Sequence, residues 1–218
     1  MAISKFNYNS FNVTPVASKA LAFDADADGF TTASGSSMIL IKTLTASSSA
    51  TLSFVNGSSD VVLDDTYPVY KFKFINIHPE TQSDFSFQVD TGTNTSYNQT
   101  ITSTAFYAEH SESDNTALSY FGSRDQAQGT GFQMIGHNPG VDNDSSCSGE
   151  LTIFNPSSST FVKHFIATFN SYNGSNTSHN NYVAGYINTT TALTRVQFKF
   201  SSDNIDAGKI KLYGIKDS

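Results

Sequence analysis

Apolar and polar residues alternate through most of the chain. In "PVYKFKFINIH", Tyr70, Phe72 and Phe74 fall on one side and Lys71 and Lys73 on the other. That period of two marks a half-buried β-strand. "DFSFQVD" sets Phe85, Phe87 and Val89 against Ser86 and Gln88, and "RVQFKF" sets Val196, Phe198 and Phe200 against Arg195, Gln197 and Lys199. "SMILIKTL" reads as a buried strand, and "ATLSFVNG" carries Leu52 and Phe54 into an Asn56-Gly57 turn. "QTITSTAFYAEH", "GFQMIG", "GELTIF", "FVKHFIATFNSY", "NYVAGYIN" and the closing "KIKLYGI" continue the series.

About nine or ten short strands separated by turn-rich loops predict an antiparallel two-sheet β-sandwich. A strand this close to the end of the sequence is kept only if it is stitched into a sheet, so Lys209–Ile215 is expected to close the fold. The body is predicted to run over 38–218. Residues 1–37 have weak periodicity and read as an extended N-terminal arm, an attachment segment. "HSESDNTALSYFGSRDQAQ" is the one stretch expected to hold a helical turn, and "NPSSST", "NGSNTSHNN" and "SDNIDAG" are expected as loops. No internal repeat appears, which disfavours a propeller or β-helix.

Composition sharpens this picture. The 218 residues suit one all-β domain, and such a chain buries roughly 70 % of its unfolded surface without needing a metal or a disulfide. Charged residues make up 14 %, Trp is absent, and 18 Phe with 10 Tyr supply the apolar faces. A net charge of −7 argues against nucleic acid, which demands a basic footprint. No apolar run is long enough to span a membrane. The opening "MAISKFNYNSFNVTPV" lacks the apolar core of a secretory signal, and a lone Cys147 allows no intrachain disulfide. An exterior-type polar surface on a chain made in a reducing cytoplasm fits a virion component, synthesised in the host cytoplasm and released by lysis.

Candidate chemistry is sparse. In "DADADGF", Asp24, Asp26, Asp28 and Gly29 match the opening of a calcium-binding loop, where alternating carboxylates meet one hard cation. The match stops at Gly35, where a bidentate Glu belongs, so a solvated acidic turn is the preferred reading and calcium the only cofactor in view. "HNPGVDNDSSCSGE" offers His137, Asp142, Asp144 and Glu150, although Asn-Pro-Gly and Asp-Asn-Asp are ordinary turn chemistry. Cys147 reads as a quiet buried thiol and His164 as a strand residue with an ordinary hydrogen bond. The five histidines form no closely spaced ligand set, and no G-x-S-x-G elbow occurs. Sequons at Asn12, Asn56, Asn98 and Asn188 follow from how common these residue types are. Tyr and Asn in "FNSYNGSNTSHNNY" would suit stacking and hydrogen bonding to sugars, but a polar loop that merely keeps the chain soluble is the preferred reading.

The phrases "TASSSATLSF", "YKFKFINIHPETQSDFSFQ", "SGELTIFNPSSSTFVKHF", "YVAGYINTTTALTRVQFKF" and "NIDAGKIKLYGI" resemble a family of virion structural proteins of tailed phages, marine phages above all. The resemblance spans roughly Met38 to Ile215 and implies a jelly-roll-like body on the particle exterior, with no active-site pattern to transfer. The expectation is therefore a non-enzymatic head decoration, or a head, collar or tail appendage. Its partners would be other virion proteins (capsid, collar or tail) and copies of itself, a trimer first. The alternative is a receptor- or carbohydrate-binding module of a tail fibre that meets a host surface glycan.

Overall fold

A computed structural model describes residues 21–23, 30–32 and 36–217. The chain forms two compact units, Met1–Ile39 and Leu40–Ser218. In the first, β1 (Leu21–Phe23) pairs antiparallel with β2 (Phe30–Thr32), Leu21 opposite Thr32 and Phe23 opposite Phe30. Asp24, Asp26 and Asp28 lie outside the described residues.

The remaining strands are β3 (Met38–Thr45), β4 (Leu52–Val55), β5 (Val69–Pro79), β6 (Phe85–Thr91), β7 (Ile101–Ser111), β8 (Thr116–Tyr120) and β9 (Gln133–Gly136). They continue with β10 (Cys147–Phe154), β11 (Lys163–Asn173), β12 (Thr177–Ile187), β13 (Leu193–Phe200) and β14 (Ile205–Ile215). The described residues include no helix. The stretch expected to hold a helical turn contains β8, a tight turn at Glu112–Ser113 and a single hydrogen-bonded turn at Gly122–Arg124 followed by irregular chain. Five residues of "TALSY" too short to nucleate a helix alone are instead captured by β7, Phe106 opposite Tyr120 and His110 opposite Thr116. "NGSNTSHNN" is likewise mostly strand. Only Gly174–Asn176 turns, with Asn176 at φ 54°, and β12 begins at Thr177.

Two antiparallel sheets result, ordered β3-β14-β5-β10-β11-β12-β7-β8 and β4-β13-β6-β9. Strip away β7–β8 and β11–β12, and β3-β14-β5-β10 faces β4-β13-β6-β9 with successive strands crossing between sheets. This is the double Greek key of a jelly roll. The two inserted hairpins widen one sheet beyond β10, so eight strands lie against four. β14 is an interior strand, between β3 and β5, as the sequence pattern anticipates.

Phenylalanine fills the space between the sheets. Phe54, Phe85, Phe87, Phe198 and Phe200 descend from the small sheet and Phe72, Phe74, Phe165 and Phe169 from the large one, each at most 2 % exposed. Their rings meet mostly edge to face: Phe54–Phe72 at 5.3 Å, Phe74–Phe198 at 5.0 Å, Phe87–Phe165 at 5.0 Å. The aromatic quadrupole favours that geometry. Ser86 and Gln88, polar-face residues by pattern, are buried as well. Gln88 Nε2 donates to the carbonyls of Gln99 (3.0 Å) and Gly131 (2.8 Å), which lay chain over the outside of the small sheet. Fully buried Asp90 accepts from Asn94 Nδ2, Tyr97 N and Gln99 Nε2 and so fastens the β6–β7 loop.

Candidate functional site

Where the second hairpin and β9 meet, polar groups gather. His137 Nδ1 lies 2.8 Å from Asp84 Oδ1, and Arg124 Nε lies 2.6 Å from Oδ2, close but not aligned for a hydrogen bond. The Arg124 guanidinium sits 5.5 Å over the Phe121 ring. Behind them, His179 stacks on Tyr107 (4.6 Å) and approaches the His137 ring at 4.7 Å. Glu109 Oε2 is 3.7 Å from its Nε2. His179, Asn181 and Ser171 point inward, are at most 2 % exposed, and close no hydrogen bond at His179 Nδ1, the Asn181 amide or Ser171 Oγ. Burial first, and the neighbouring His137 second, push the His179 pKa down to about 4. Both Asp84 oxygens are engaged, so this network acts as a clamp tying the run after β8 and the end of β9 to the start of β6.

The sequence-marked residues are dispersed. Glu150 is on the outer face of β10, held below the usual carboxylate range by Lys73 and Lys71. His137 serves the inner clamp, and Asp142 and Asp144 are exposed in a turn. The described residues hold no cluster of three or more His, Cys, Asp or Glu side chains arranged for a metal. Cys147 is buried, and burial pushes its thiol pKa far up. Of the sugar loop proposed from "FNSYNGSNTSHNNY", His179 and Asn181 face the interior.

A separate concavity lies on the outer face of the widened sheet. Register sets side chains there in rows across the strands. One row runs His164, Tyr186 and Thr102, with His164 directly opposite Tyr186, and Phe154, at the end of β10, lines the same hollow. The next is Thr152, Ile166, Ala184 and Thr104. A third brings Tyr182 opposite Phe106 and Phe106 opposite Tyr120. The Phe106 and Tyr182 rings stack at 4.8 Å and 11°. The first two rows line a trough of about 510 Å³, lowest at Ala184 and Gly185 and walled by Phe154 and Tyr186, and the Phe106–Tyr182 pair stands one row beyond its floor. Phe106 is 44 % exposed, Ile166 53 % and Tyr120 58 %, far from the burial such side chains usually reach. His164 is a strand residue of β11, as expected, and lies in this trough with its ring 6.2 Å from that of Tyr186, its side chain making no hydrogen bond among the described residues.

The signal for this trough is in the sequence: β11 and β12 carry apolar or aromatic residues on both faces, Ile166, Tyr182 and Tyr186 outward against Phe165, Phe169 and Val183 inward. Fold and site together define a jelly-roll sandwich with an aromatic trough on its broad face. No protein-family model, curated protein or solved structure matches the chain.

Proposed function

We propose that the protein is a non-enzymatic structural component of a tailed-phage particle, carried on its exterior as a head decoration or a head, collar or tail appendage. The observation that carries this reading is the jelly-roll strand order with one sheet widened to eight strands. Such domains are used in viral capsids and lectins, an analogy at the level of fold. The five-phrase sequence resemblance to tailed-phage virion proteins supports the same reading. A rigid block with a broad presented face suits a contact repeated many times on a symmetric shell, in a homo-oligomer with a trimer favoured. Its neighbours would be capsid, collar or tail proteins, and its synthesis would take place in the host cytoplasm.

Quantitative mass spectrometry of purified particles is expected to find the chain in many copies, and its absence from them would end the reading. The runner-up, a receptor- or carbohydrate-binding module of a tail fibre, is favoured by the aromatic trough. It predicts that the purified protein at saturating concentration blocks phage adsorption to host cells.

A further inference from the structure

The chain is acidic overall, but its broad sheet has a basic corner. The chain has 19 Asp and Glu against 12 Lys and Arg, yet Lys73 on β5 stands directly opposite Lys211 on β14, and Lys71 opposite Tyr213. Like charges directly across a strand pair destabilise it. Glu150 answers Lys71 at 3.3 Å and also Lys73, so one carboxylate serves both while Lys211 has no carboxylate within ion-pair distance among the described residues. The corner therefore carries an excess of positive charge.

Register connects that corner to the trough. The floor row continues from Ala184, Ile166 and Thr152 to Lys71, and the Tyr182 row runs through Thr168 and Glu150 to Lys73 and Lys211. From Thr104 on β7 to Lys71 on β5 the floor crosses four strand spacings, roughly 19 Å. The trough walls offer aromatic faces. Its threonine and serine hydroxyls are engaged within the protein, but His164 and the Tyr186 hydroxyl make no hydrogen bond within the described residues and are free to bind, and no acidic side chain lines it. A sugar ring presents an apolar C–H face and a rim of hydroxyls, so it matches ridges that stack and an imidazole and phenol that exchange hydrogen bonds. A second copy presenting this same face would bring one carboxylate in these rows, Glu150, already paired.

We infer that the outer trough of the large sheet binds an acidic oligosaccharide, its rings seated between the ridges of Phe154–Tyr186 and Phe106–Tyr182 and its carboxylate, sulfate or phosphate held at Lys71, Lys73 and Lys211. This stands independently of where the protein sits on a particle, because binding is a property of the purified chain.

The test is an array of neutral glucans and of uronate, sulfated and phosphorylated oligosaccharides, probed with the full chain. Acidic members are expected to be retained, with affinity falling as salt rises. Ala184→Arg, which fills the floor at a partly exposed site, is expected to abolish retention with an unchanged melting curve, and Tyr186→Ala to weaken it at least about tenfold, a step of about 1.4 kcal/mol. Lys211→Gln is expected to weaken acidic members and flatten their salt dependence. Retention of neutral glucans alone, binding indifferent to Ala184→Arg and Tyr186→Ala, or no retention at all overturns the inference. So does a change of oligomeric state in Ala184→Arg by sedimentation, which would assign the face to a second copy.

Discussion

At the scale of single residues, the buried polar groups set the sharpest conditions on stability. His179 is folded in with a pKa of about 4, held down by burial and by His137, with Asn181 and then the Asp84 carboxylate opposing. An unfolded histidine titrates near 6.5. Between those values the unfolded chain binds the extra proton, so His179's contribution to stability is whole above about pH 6.5 and is lost as pH falls through about 4. The loss amounts to at most about 3 kcal/mol. Denaturant unfolding from pH 7 to pH 4 should therefore show falling stability, and His179→Phe should flatten the slope. An unchanged slope in that variant would remove His179 from the account. Lys163 poses the opposite problem, a buried ammonium whose Nζ donates to the carbonyls of Ser158 (2.6 Å), Phe161 (3.1 Å) and Thr189 (3.1 Å). It joins the β10–β11 and β12–β13 loops at one point, and burial lowers its pKa. Lys163→Met keeps the apolar stem but strands three carbonyls, and is expected to cost about 2–4 kcal/mol in urea unfolding.

At the scale of elements, bulges and register decide what each strand can present. β14 slips register against β5 on both sides of Ala207, and Gly208 adopts φ 118° there. A Cβ at Gly208 would stand 2.5 Å from the Asn76 carbonyl oxygen, so Gly208→Ala meets both a forbidden conformation and a backbone clash. Such strain costs about 2 kcal/mol, and a melting temperature equal to the parent's would show that the bulge relaxes freely. These strands also explain how far the sequence could be read. β5, β6 and β13 were legible because each carries aromatic or β-branched residues at alternate positions over Tyr70–Phe74, Phe85–Val89 and Val196–Phe200, and that row is packed into the core. β8 was not, because "TALSY" is exposed along most of its length and borrows its structure from β7. The start of β12 was mistaken for loop because its inward row is Thr177, His179 and Asn181, polar residues buried by a hairpin that sequence alone does not place. The trough draws on Thr102, Phe154, His164 and Tyr186, which only register brings side by side. Each of those strands showed its outward aromatic, but none showed its neighbour.

At the scale of the whole molecule, the fold closes from its far end. β13 lies between β4 and β6, and β14 between β3 and β5, so both sheets keep a gap until these late strands arrive. The isolated bridge between Ser49 and Ile205 measures the reach required. Such non-local pairing delays folding, because loop closure precedes the contacts that reward it. β14 also carries Ile205, Ile210 and Leu212 into the core, all fully buried. Burial of each stabilises by about 1.5–3 kcal/mol, a total comparable to the whole stability of a small domain. A chain ending before Lys209 therefore loses two of these three residues, and it leaves β3 and β5 facing each other across roughly 10 Å with no strand between. Tyr70, Phe72 and Phe74 would lose their cover along that gap. The shortened chain is expected to show strand-rich circular dichroism without a cooperative melt and to bind a hydrophobic dye. A sharp transition at the parent temperature would mean that β3 and β5 hold the large sheet without β14, and the broad face could then not be the rigid platform that its trough requires.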